Sequence, residues 1–223
     1  VIIAMNTPGG LLSNMQQIIG MIQVAQSKGI RFYTFVEPSG WAASAGSYIA
    51  MSTNGIYMGD GSAIGSSTPI VIGGTELEQN HTESFMLSYM KSFAEKYGRN
   101  VTAAELMVTQ DEAYTADEAI KYHIADGRAN TPQEVLSQIG LQGAQVFEVR
   151  PSVYDQFLSF LSDPTVDGFL ILLGSIAILL DLYHASVVLS VAGAILMALG
   201  FLGAQLIGAQ PAAFVILAAS AAL

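Results

Sequence analysis

The chain has 223 residues, with 18 acidic against 8 basic side chains and a formal net charge of -10. All 8 Lys and Arg lie within residues 1–150, whereas residues 151–223 carry only Asp155, Asp163, Asp167 and Asp181, and no Asp, Glu, Lys or Arg follows for 42 positions. This excludes one uniform soluble domain, because globular chains carry charge at roughly a quarter of their positions. The charge break predicts a soluble domain over 1–150 and a membrane region over 151–223. The acidic balance without a basic stripe argues against nucleic acid as a partner. There is no cysteine, so disulfides and thiolate metal sites are excluded. His81, His123 and His184 are scattered without metal-ligand spacing, so no metal is expected.

Val1–Met5 is a short apolar run that reads as a buried parallel strand already in progress. It has neither the basic start nor the length of a signal peptide. The apolar run at Leu223 also stops abruptly, and a fragment truncated at both ends is the expectation. Asn6-Thr7-Pro8-Gly9-Gly10 is a turn. Leu11–Lys28 has apolar residues three and four apart (Leu11, Met15, Ile18, Ile19, Ile22, Ala25) and predicts a helix ended by Gly29. Ile30–Val36 is β-branched and aromatic, a second strand. A strand, helix and strand in this order form a βαβ unit with a parallel sheet.

After the turn Glu37–Gly40, Trp41–Met51 is rich in small residues and suits a helix packed closely on the sheet. Ile56–Met58 is a short strand, Gly59–Thr68 a Gly/Ser loop, and 70–81 a polar stretch without period. Thr82–Tyr97 predicts a helix with Phe85, Met86, Tyr89, Met90 and Phe93 on one face. Thr102–Met107, Thr115–Lys121 and Pro132–Ile139 are shorter helices, and Thr102/Glu105 and Thr115/Glu118 have capping-box spacing. Val146–Val149 is a last candidate strand. Val153–Leu161 is amphipathic and suits a bilayer interface. Phe169–Leu180, Val187–Ile207 and Pro211–Leu223 predict about three membrane helices. Gly174, Gly193, Gly200, Gly203 and Gly208 would allow close packing between them.

The chemistry is concentrated in two stretches. A strand ending in Thr7-Pro8-Gly9-Gly10 leaves backbone N–H groups at a sheet edge without side-chain obstruction, where they can hold an oxyanion. Ser44 follows a strand at the start of a helix, placed to attack a carbonyl. Taken alone, a serine among small residues is more often a packing residue. Lys91 falls outside the apolar stripe of its helix and taken alone reads as a solvated lysine.

Together, Asn6–Gly10, Gly40-Trp41-Ala42-Ala43-Ser44-Ala45-Gly46-Ser47-Tyr48-Ile49-Ala50 and Ile64-Gly65-Ser66-Ser67-Thr68-Pro69 resemble the long-form NfeD family. These are membrane-bound serine proteases of the ClpP class, often encoded with stomatin-like partners. The resemblance continues through Tyr89-Met90-Lys91-Ser92, Gly98-Arg99-Asn100, Thr115–Ala119 and Asp163-Pro164. It implies an α/β ClpP/crotonase-like domain followed by an all-helical transmembrane region. It also implies a serine–lysine dyad, in which Ser44 matches the nucleophile and Lys91 the general base. Gly10 and Ala45 match the oxyanion-hole donors, and no cofactor is implied. The implied substrates are apolar peptide segments such as those of a stomatin homologue, with the lipid bilayer and a second copy of the chain as further partners. The protease domain is implied to lie outside the cytoplasm. The sequence departs from the family at Asp181-Leu182-Tyr183-His184, where Pro-Gly usually follows the acid, and lacks the family's C-terminal OB-type domain. Signal peptide peptidases share only the Ala-Ser-small-Gly core. Two other readings stand beside the protease: a non-catalytic membrane scaffold binding a stomatin-like protein, and a crotonase-like acyl-CoA enzyme.

Overall fold

The computed structural model describes residues 1–71, 73–184 and 187–206. The chain divides into two units, Val1–Gln145 and Val146–Leu223.

The first unit runs β1 (Ile2–Met5), α1 (Leu12–Ser27), β2 (Tyr33–Val36), β3 (Trp41–Ala43), α2 (Ala45–Met51), β4 (Gly55–Met58), β5 (Ala63–Gly65), α3 (Glu76–Lys96), α4 (Val101–Thr109), β6 (Ala113–Thr115), α5 (Ala116–Lys121), β7 (Gly127–Arg128) and α6 (Pro132–Gln138). Two sheets result. β1-β2-β4-β7 is wholly parallel, with Ile3 beside Thr34 and Thr34 beside Ile56. β3-β5-β6 pairs β3 parallel and β6 antiparallel to β5. The chain leaving β1 crosses to the second sheet through a parallel bridge between Thr7 and Ala42. Thr7 N–H donates to Trp41 O at 2.7 Å and Ala43 N–H to Thr7 O at 3.1 Å.

The core lies between these sheets and α1, α2, α3 and α4, and methionine fills much of it. Met5, Met15, Met51, Met58, Met86, Met90 and Met107 are buried together with Ile19, Ile56, Ile64 and Phe93. An unbranched side chain adapts to the irregular space where two sheets and several short helices converge. Phe35, Tyr57, Ala129 and Val135 form a smaller cluster. Arg99 is buried, donating to Met51 O at 2.7 Å and Thr53 O at 2.9 Å. It satisfies carbonyls at the C-terminal end of α2. Burial lowers the guanidinium pKa to about 10.

The mixed α/β class is as expected, and the differences are local. β2 begins at Tyr33 rather than Ile30, because Phe32 N–H is taken by the Asn54 side chain at 2.9 Å. The predicted helix from Trp41 is a strand through Ala43 and a helix only from Ala45. The loop 59–68 contains β5, and β6 and β7 also escaped prediction, since two- and three-residue strands are too short to show a period. The patternless 70–81 holds the start of α3, capped by Thr75 and Glu78 in a capping box. Those first turns are exposed, so no apolar stripe marks them. Phe85 is exposed and stacks on Tyr89, while Met86, Met90, Phe93 and Ala94 make the buried face. α4 is capped by Asn100, whose Oδ1 accepts Ala103 N–H at 3.1 Å, and not by Thr102; α5 has the Thr115/Glu118 box as predicted. Val146–Val149 is not a strand, and no partner lies beside it among the described residues.

The second unit contains α7 (Val153–Leu161), α8 (Pro164–His184) and α9 (Val187–Leu206). Thr165–Tyr183 and Val187–Ala204 are long and apolar enough to cross a membrane. α8 does not stop at Leu180 but continues through Asp181, whose Oδ2 accepts the Ser190 N–H of α9 at 2.8 Å. The carboxylate is used as a cap inside the hairpin instead of breaking the helix. α8 and α9 pack through glycine. A Cβ on Gly174 would sit 2.6 Å from Gly193 O, and one on Gly193 2.5 Å from Gly174 O. Backbones this close leave no room for a side chain. Ile207, Gly208 and the predicted helix Pro211–Leu223 lie outside the described residues.

Ser175 Oγ lies 3.9 Å from Met197 Sδ. In a chain without native cysteine, Ser175→Cys with Met197→Cys should therefore be joined across the hairpin by a short bifunctional thiol reagent. Adding Gly193→Leu should remove most of that product. Unchanged cross-linking would show that the helices do not meet through this glycine.

Candidate active site

Ser44 stands at the junction of β3 and α2, where a strand hands directly to a helix. The single linking residue must turn the chain sharply, and Ser44 does so at φ +49° and ψ -120°. Positive φ is uncommon for a residue with a Cβ and costs on the order of 1 kcal/mol or more. It is held by bonds on both sides. Its N–H is shared between Gly65 O at 3.2 Å and Ser66 O at 3.1 Å. Its carbonyl accepts Ser47 N–H at 3.0 Å and Ser47 Oγ–H at 2.6 Å. The hydroxyl is thus carried on a fixed, half-buried backbone.

The Thr7–Gly10 turn lies against it. Gly9 has φ +128°, and a Cβ there would be 2.7 Å from Ser44 Cβ and 3.2 Å from Ser44 Oγ. Only glycine satisfies both demands. Thr7 Oγ1 accepts Gly9 N–H at 3.2 Å and closes the turn. Gly46 is packed as closely, since a Cβ on it would meet Thr7 Cγ2 at 2.5 Å. Ala45 N–H follows Ser44 directly and Gly10 N–H follows the Gly9 that packs on Ser44, and neither donates to an acceptor among the described residues. Ala45 opens α2, whose first N–H groups have no intrahelical partner. The structure places Ala45 next to Ser44 at the start of α2 and packs the turn that carries Gly10 against Ser44 through Gly9.

Lys91 is placed differently. Its ammonium, on α3, pairs with Glu105 of α4 and makes no hydrogen bond to Ser44. The Glu105 hydrogen bond and charge, with Glu95 adding to them, raise its pKa above the ordinary lysine value. This favours the protonated form, the reverse of what a general base requires. His81 and His123 are exposed, as expected of surface residues.

Sequence reasoning missed the support behind Ser44. Ser66 Oγ donates to Asp111 Oδ2 at 3.0 Å, and Thr68 N–H to Asp111 Oδ1 at 3.3 Å. Asp111 thereby pins the strap whose Gly65 and Ser66 carbonyls hold Ser44. Ser67 Oγ lies 2.6 Å from Ser47 Oγ, and Tyr48 O–H donates to Ser67 O at 2.9 Å. Burial, then the Glu83 charge, pushes the Tyr48 phenol up, so it stays a neutral donor. The Ile64–Pro69 motif was legible as a unit, but Asp111 is distant in sequence and no local pattern tied it to this strap.

The family described as NfeD1b, N-terminal domain matches residues 1–149. The chain is 35% identical over 201 residues to the membrane-bound protease PH1510 of Pyrococcus horikoshii, covering 81% of this chain and 45% of that protein. It is 26% identical over 217 residues to the membrane protein NfeD1b of Bacillus subtilis, covering 91% and 48%. The chain therefore spans about half the length of these curated relatives. Among solved structures, it is similar to the 1510-N membrane-bound stomatin-specific protease. A lysine-to-alanine mutant in complex with a substrate peptide has 32% identity and a TM-score of 0.63, over 73% of this chain and 82% of that one. A serine-to-alanine mutant has 31% identity and a TM-score of 0.59, over 68% and 82%. The serine and lysine mutated there stand closer in sequence than Ser44 and Lys91, and no lysine lies between those two here.

Gly9→Ala should push Ser44 out of place. Fluorophosphonate labelling of Ser44 should slow on the order of 100-fold, as displacements of about an ångström do at reacting centres. Wild-type labelling of this variant, followed by mass spectrometry, would show that the turn does not control the serine.

Proposed function

The chain belongs to the NfeD1b N-terminal domain family, and from that premise we propose that it is a membrane-anchored serine endopeptidase with Ser44 as nucleophile. The observation that carries this is the fixed, strained Ser44 backbone packed against the Gly9 turn, with the Ala45 and Gly10 N–H groups next in each segment donating to no acceptor among the described residues. In the reaction, Ser44 Oγ attacks the scissile carbonyl carbon while its proton passes to a neutral Lys91 amine. Gly10 and Ala45 N–H groups stabilise the oxyanion. Collapse of the intermediate breaks the C–N bond, and the Lys91 ammonium returns its proton to the leaving amine. Water, deprotonated by the same amine, then releases the acyl group from Ser44.

The domain boundary near residue 150, the spans in the tail, and the relatives' names support substrates close to a membrane, apolar segments of stomatin-like proteins among them. A multi-pass anchor with the protease domain outside the cytoplasm, and self-association as a dimer, belong to the same reading. No cofactor is needed by serine–lysine chemistry. One observation favours a second reading, a non-catalytic scaffold for a stomatin-like partner: Lys91 is engaged by Glu105. Catalysis requires that pair to open.

Ser44→Ala should reduce cleavage of an apolar peptide by at least about 10³-fold. Lys91→Arg should not restore what Lys91→Ala loses, because guanidinium stays protonated. Normal cleavage by Ser44→Ala would overturn the nucleophile assignment and favour the scaffold.

The pH dependence follows from Glu105. Its contact raises the Lys91 pKa, so only a small neutral fraction exists at neutral pH and the rate should rise into the alkaline range. Glu105→Gln removes the main cause of the shift, and the rising limb should move to lower pH. A pH–rate profile identical to wild type would show that Glu105 does not set the titration of the catalytic base.

A further inference from the structure

We propose that α7 is a lipid-binding helix, lying in the headgroup region with its aromatic face turned into an uncharged or zwitterionic phospholipid surface. This rests on the reading that α8 and α9 cross a membrane. Three observations within the second unit carry it. The first is the helix itself. Val153, Tyr154, Phe157 and Phe160 are 84%, 68%, 47% and 58% exposed. At 100° per residue they fall within one sector, with Asp155, Gln156 and Ser159 outside it.

The second is height. α7 is anchored at its C-terminal end, where Leu161 is buried and its carbonyl occupies the space a Cβ on Gly203 would need. Gly203 is one residue from Ala204, where the second span ends, and Thr165, where the first span begins, follows α7 closely. Both spans of the antiparallel hairpin therefore end at the level of Leu161, which sets α7 at the boundary between hydrocarbon and water. Aromatic side chains are favoured at that depth.

The third is charge. Residues 151–223 contain no Lys or Arg, and the one cation of the unit's described residues, Arg150, is paired with Glu148. The acid on α7, Asp155, is turned to its own N-terminus, where Ser152 bonds hold its carboxyl below the usual carboxylate range. The helix itself carries no cation for an anionic headgroup, so its adhesion depends on apolar and aromatic burial.

The absence of native cysteine makes the test direct. Phe157→Cys, Phe160→Cys, Gln156→Cys and Ser159→Cys are made singly in the full chain, with Leu172→Cys on the exposed face of α8 as the control for the span. Each is labelled with bimane and reconstituted in phosphatidylcholine vesicles containing a shallow nitroxide lipid for the α7 positions and a deep one for position 172. Labels at 157 and 160 should be quenched at least about two-fold more than those at 156 and 159. Replacing part of the phosphatidylcholine with phosphatidylglycerol should not change this. Equal quenching at all four α7 positions, with position 172 quenched, overturns the proposal while the spans stand. Shielding of 157 and 160 from aqueous iodide without lipid quenching overturns it in favour of a protein cover, a second copy or residues 207–223. Loss of quenching at position 172 overturns the membrane reading and this proposal with it.

Discussion

Thr7 and Ala42 meet in a parallel bridge two hydrogen bonds long, and the rest of the site depends on where it puts the chain. It ties the end of β1 to β3, so that the turn following one strand lies across the end of another. Gly9 then reaches Ser44 within a distance that excludes any Cβ. From the other side, the Gly65–Ser66 carbonyls take the Ser44 N–H, and Asp111 fixes that strap in turn. Ser44 is strained because the two sheets meet at this point and one residue must make the turn. The strain is tolerated because hydrogen bonds to two segments, the 65–66 strap and the first turn of α2, together with the Gly9 turn packed on its side chain, oppose its relaxation.

Much of this was legible. The apolar period of α1, the β-branched run of β2 and the Thr115/Glu118 box identify their elements directly. Ser44 and the Thr7–Gly10 turn were legible as a site only through the family resemblance, since a serine among small residues taken alone more often packs. What was hidden was short or non-local. β5, β6 and β7 are held by the neighbours they pair with, not by internal pattern. The Asn100 cap displaced the Thr102/Glu105 box because Asn100 already supplied an acceptor to Ala103, and Glu105 turned to Lys91 instead. That contact could not be read from either helix alone. It changes the chemistry expected of the lysine, since a carboxylate partner stabilises the charged form that a base must lose.

The two units solve the problem of close packing by different means. The first fills its interior with flexible thioethers and aromatic rings between short elements. The second brings two long helices together by removing side chains, at Gly174 and Gly193 above all. Direct backbone proximity and a carboxylate accepting an N–H across the hairpin join the two helices, the means on which helices in lipid depend because apolar side chains there gain little by facing one another. Glycine thus has opposite uses in the chain: it clears space for the Ser44 side chain in one unit and for a neighbouring backbone in the other.

The thioether-filled core has a consequence for how this protein ages. In the first unit Met21 is 65% exposed, whereas seven other methionines are shut away from solvent. Peroxide can reach the sulfur of Met21 in the folded state, and the sulfoxide there would sit harmlessly at the surface. Oxidant can reach the others only when the unit opens. Each sulfoxide formed then adds a polar oxygen that the refolded interior cannot accommodate. Brief openings under oxidative conditions would be recorded one sulfur at a time, and the accumulated damage would close off the route back to the native state.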